Sequence, residues 1–146
     1  MKSWVMAFAF LVLAGQARAQ YEECLQPSNV PEAVYDTILD QSSFDFGSVN
    51  EDVCNAIVKK GVATCKAQVK AQAKCFTRST ALNLAIALKQ CKQLEDAGER
   101  EACVANFKAV RDEINDNVEA DKLDGLAVCE GEFVFALAES CAVGVL

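Results

Sequence analysis

Eight cysteines, Cys24, Cys54, Cys65, Cys75, Cys91, Cys103, Cys129 and Cys141, are spread along a chain of 146 residues that contains no histidine. No two stand close enough for the C-x2-4-C knuckle of a zinc site, and no imidazole is there to complete one. An even set of this kind points to four disulfides, and so to an oxidising compartment.

The amino-terminal residues suit that compartment. Lys2, an apolar stretch from Trp4 to Ala14 and the small-residue exit Ala17-Arg18-Ala19 read as a secretory signal peptide over residues 1–19, cleaved before Gln20. The stretch is shorter than the roughly 20 apolar residues that span a bilayer, and no second one follows, so no transmembrane anchor is expected. Residues 20–146 then form a single secreted, cysteine-rich helical domain. Removal of Lys2 and Arg18 leaves 12 basic against 21 acidic residues, a net charge of −9. Such an acidic protein does not gather phosphates, and nucleic acid is not an expected partner.

The apolar period is helical. Pro27 and Pro31 open an entry segment that leads to a short helix from Glu32 to Gln41, and Ser42 to Asn50 has the composition of a loop. Asn50 is placed to cap the next helix, with Glu51 and Asp52 in its first turn. There Cys54, Val58, Val62, Cys65, Val69, Ala73 and Phe76 recur at steps of three and four and share one face. Thr77 to Thr80 read as a break and a new cap. From Ala81 to Leu88 the only polar side chain is Asn83, so that helix is apolar all round and belongs in the middle of a bundle.

Gly98 reads as its left-handed stop. Cys103, Phe107, Val110, Ile114 and Val118 mark another helix, Asp124-Gly125 a turn, and Leu126 to about Ala142 a last apolar element, with a short strand at Phe133 to Leu137 as its alternative. The fold class is therefore all-α, a disulfide-stapled bundle of four to five helices. On one straight helix Cys54 and Cys65 would be roughly 16 Å apart at 1.5 Å per residue. A disulfide needs Cα atoms within about 7 Å. Cys54, Cys65 and Cys75 should thus not bond one another, nor Cys129 bond Cys141, and Cys91 with Cys103 is the best single pairing, in a hairpin about Gly98.

Absences exclude much chemistry. Without histidine, Ser-His-Asp and Cys-His catalysis and ordinary catalytic zinc lose their central group. Carboxylate pairs that a glycosidase would use are explained as a solvated acidic face. The acids Asp112, Glu113, Asp116, Glu119, Asp121 and Asp124 do not fit an EF-hand, because Gly125 in its sixth position puts Ala120 in the first. Loose calcium association at such a face stays open. No catalytic residue, no metal ligand and no cofactor is assigned, and an enzyme is not expected.

Charge is unevenly distributed. Lys59, Lys60, Lys66, Lys70, Lys74, Arg78, Lys89 and Lys92 lie between Val53 and Leu94 with no acid among them. Lys59, Lys66, Lys70 and Lys74 cluster away from the Cys-Val stripe and form a candidate face for an anionic partner. The plainer account pairs them with acidic helices of the same molecule, around Asp112, Asp116 and Glu119, or of a homodimer partner. Phe76, Phe107 and Phe133 either border a groove for a small apolar ligand or are core, and core is the simpler account.

The leading expectation is a secreted, non-enzymatic binding or interaction protein, its partner an extracellular protein, a small apolar ligand or an anionic surface. The alternatives are a toxin or defence protein acting on a channel or membrane, and an acidic mineral-matrix protein.

Overall fold

The computed structural model describes residues 24–41 and 51–143. The expected leader, the loop over 42–50 and the Asn50 cap lie outside them. A 3-10 turn, Pro27–Asn29, leads directly into α1, Val30–Gln41, followed by α2, Glu51–Cys91, α3, Ala97–Glu130, and α4, Glu132–Val143. No strand occurs among the described residues, so the Phe133 to Leu137 segment is helical.

Counting α3 and α4, whose helical hydrogen bonds run on through Gly131, as one bent rod leaves three helices among the described residues, slightly fewer than the four or five expected, because two expected breaks also do not occur. Thr77 to Thr80 sit inside α2: Thr80 Oγ1 donates to the Phe76 carbonyl at 2.8 Å, one turn back, so its hydroxyl is satisfied within the helix and caps nothing. Gly98 belongs to the start of a helix. Asp96 Oδ1 accepts the Glu99 N–H at 2.8 Å and caps α3, while Arg100 Nη1 donates to the carbonyls of Leu94 and Glu95 at 2.7 and 2.8 Å. Asp124-Gly125 is likewise no turn but part of α3.

The chain forms two compact units, and α2 and α3 contribute residues to both. One, called here the hairpin unit, comprises Cys24 and Leu25 with Lys74–Glu119. The second half of α2 folds back as the start of α3 through the turn over 92–96, closed by Cys91–Cys103 with Cα atoms 5.7 Å apart. Cys24–Cys75 fastens the entry segment to it. Its buried residues are few: Cys24, Thr80, Ala87 and Cys91.

The other, the core unit, comprises Gln26–Ala73 and the chain from Ala120 onward. Val30, Val34, Cys65, Val69, Cys129, Phe133 and Leu137 form its core, with Tyr35, Ile38, Ile57, Val58, Val62 and Leu126 packed around them. Tyr35 meets the Phe133 ring edge-on at 6.4 Å, and its hydroxyl lies 2.7 Å from Ser140 Oγ. Since Ser140 already donates to the Ala136 carbonyl, the tyrosine is the donor. Cys54–Cys141 and Cys65–Cys129 cross-link this unit.

All eight cysteines are paired, helix to helix except at Cys24. Cys91 bonds Cys103 as expected, and the pairs excluded by helical rise do not occur.

Candidate functional site

The four lysines of the candidate anionic-partner face all lie on α2. In the core unit Lys66 Nζ pairs with Glu130 Oε1, both partly exposed, at the carboxyl end of α3. That hydrogen bond, with the charges of Lys66 and Lys70, holds the Glu130 carboxyl below the usual carboxylate range. Within the core unit Glu130 thus pairs with Lys66 and feels the charge of Lys70, while in the hairpin unit Asp112 meets its neighbour Arg111. Lys59 and Lys74 are exposed.

Phe76, Phe107 and Phe133 do not line one groove within a unit. Phe133 is 3 % exposed in the core unit, whereas Phe76 and Phe107 are half-buried residues of the hairpin unit. Among the described residues, no three His, Cys, Asp or Glu side chains converge as metal ligands, and no helix is long and apolar enough to cross a membrane.

The hairpin unit exposes a surface that differs from the one expected from the sequence. Residues 81–88, expected in the middle of a bundle, bury Ala87 but leave Leu82 61 % and Ile86 42 % exposed. Two helices can bury only the facing sides of each, so the far side of an all-apolar helix stays open. The signal for that surface is the all-round apolar pattern itself, which does not say which chain covers the helix.

On that face Arg78, Leu82, Ile86 and Lys89 follow one another at steps of four, four and three, all exposed. The opposite helix of the unit, α3, exposes Glu101, Ala105, Ala109 and Asp112 at the same steps. Ala97, Arg100, Glu101, Val104, Ala105 and Lys108 line a shallow open hollow there.

No protein-family model matches the chain, and no curated protein or solved structure matches it significantly.

Proposed function

We propose that this chain is a secreted, non-enzymatic interaction protein of the extracellular space. The observation that carries the proposal is the pairing of all eight cysteines, seven of them on helices that hold large apolar side chains in solvent, Leu82 and Phe135 foremost, the latter 80 % exposed. Disulfides persist where the environment is oxidising, which agrees with the leader expected at residues 1–19. Bulky apolar groups on covalently pinned helices offer contact area at little cost in order on binding. Catalysis has little to work with, since the chain has no imidazole and no free thiol.

The test is expression of the full chain in a secretory eukaryotic host. The expected product is found in the medium, begins at Gln20, has a mass eight hydrogens below the reduced value and takes up no thiol-alkylating reagent before reduction. Retention inside the cell with free thiols would refute the compartment. A turnover activity found in the purified oxidised protein would refute the non-enzymatic assignment.

A further inference from the structure

We infer that the hairpin unit is a head-to-tail self-association module, in which the α2 face of one copy docks on the α3 face of a second copy. The inference rests on the interaction role proposed above and names its partner.

Three observations meet here. The stretch 81–88 is apolar apart from Asn83, a pattern found where a helix is covered on every side, yet Leu82 and Ile86 on its outer side stay exposed. Next, the two faces carry opposite charge. Arg78 and Lys89 flank Leu82 and Ile86, and neither base has an ion pair among the described residues. Glu101 and Asp112 flank Ala105 and Ala109, Asp112 also meeting its neighbour Arg111, and Arg100 and Lys108 are the bases that line the hollow on that side. Finally, their shapes are reciprocal: Leu82 and Ile86 project as knobs, whereas α3 offers two alanines and the hollow beside Val104 and Ala105. Because the spacings match, docking in either helix direction sets a base against an acid at both ends.

The charges also decide the symmetry. Pairing like faces about a two-fold axis would set α2 against α2, basic face on basic face. Pairing α2 with α3 of the next copy is heterologous, so each added copy leaves one free face at either end of an open row. Oppositely charged faces make the association weaken as salt screens it.

Sedimentation velocity of the secreted, oxidised full chain tests this over a concentration series, at roughly 20 mM and 500 mM salt. The average mass should rise with concentration at low salt and fall back at high salt. Leu82→Glu removes the α2 face and Ala109→Arg the α3 face, both at exposed helical positions, and circular dichroism verifies that each variant keeps its helices. Each variant alone should stay monomeric. Their mixture should form a 1:1 dimer and grow no further, since each supplies the face the other lacks. Arg78→Gln with Lys89→Gln, which spares the knobs, should weaken association at least about tenfold and flatten its salt dependence. A wild-type chain that stays monomeric throughout, or a mixture of the two face variants that does not associate, would overturn the inference. A secreted, fully oxidised monomer would do so while leaving the extracellular assignment standing, whereas a reduced, retained chain would strike that assignment first.

Discussion

Replacing Gly125 by Ala separates helix propensity from packing at one position. Gly125 lies inside α3, where an exposed glycine-to-alanine change stabilises a helix by about 1 kcal/mol. A Cβ built there lies 2.4 Å from the Pro27 carbonyl oxygen, 2.9 Å from its carbon and 3.2 Å from Val69 Cγ1. The Pro27 backbone must therefore retreat by about 1 Å to reach ordinary van der Waals contact. Its freedom to do so is small. The Pro27 carbonyl accepts the Val30 N–H that opens α1, and the next residue, Ser28, donates its N–H to Asp121 Oδ2 at 3.2 Å.

Overpacking costs about 1–3 kcal/mol and each loosened hydrogen bond about 1 kcal/mol, so the change should destabilise by about 2 kcal/mol net of propensity. With a slope near 2 kcal/mol/M, the urea midpoint of the oxidised protein should fall by about 1 M. Gly61→Ala is the comparison. Its Cβ meets the ends of Leu137 and Ile38 side chains, which can rotate where a carbonyl cannot, and its midpoint should fall less. A midpoint that rises by about 0.5 M in Gly125→Ala would show that the Pro27 turn does not press on α3.

Phe133→Ala, at 3 % exposure in the core unit, should lower stability by about 3–5 kcal/mol, and half-buried Phe107→Ala by clearly less; equal losses in chemical denaturation would contradict the burial pattern. Lys66→Met should raise the Glu130 carboxyl toward its ordinary value in a carbon-13 NMR titration, because Lys66 supplies the hydrogen bond and the main charge that lower it. The sign follows: a carboxyl depressed in the folded state adds stability above its unfolded value and loses it as pH falls through the folded one, so Lys66→Met should reduce the loss of stability on acidification. An unmoved Glu130 titration would refute the pairing.

Much of this fold was legible because two local rules act without tertiary context. Apolar steps of three and four gave helices over most of the described chain, and the rise of a helix excluded neighbouring cysteines on one helix as partners. Boundaries were harder. Thr80 and Gly98 are punctuation by composition, but a hydroxyl that finds its own helix carbonyl leaves no break, and Asp96 before Gly98 starts a helix where the glycine suggested an end. Gly125 is a glycine for closeness to Pro27, which no local pattern announces. The lysine face shows the same division: its spacing was visible, while the partner Glu130 depended on which part of α3 lies beside Lys66.

The cross-links also bear on how the protein survives cutting. The spans Cys24 to Cys75, Cys54 to Cys141 and Cys65 to Cys129 overlap, so every peptide bond from Cys24 to Cys141 lies under at least one of them. A single proteolytic cut anywhere in that interval opens the chain but releases nothing. Between Cys65 and Cys75 three bridges lie over the same backbone, whereas between Cys24 and Cys54 only Cys24–Cys75 does. Shedding a fragment at one cut therefore requires a reductant as well as a protease, and the stretches ahead of Cys54 and after Cys129, each under a single bridge, are where one cut and one reduced bond suffice.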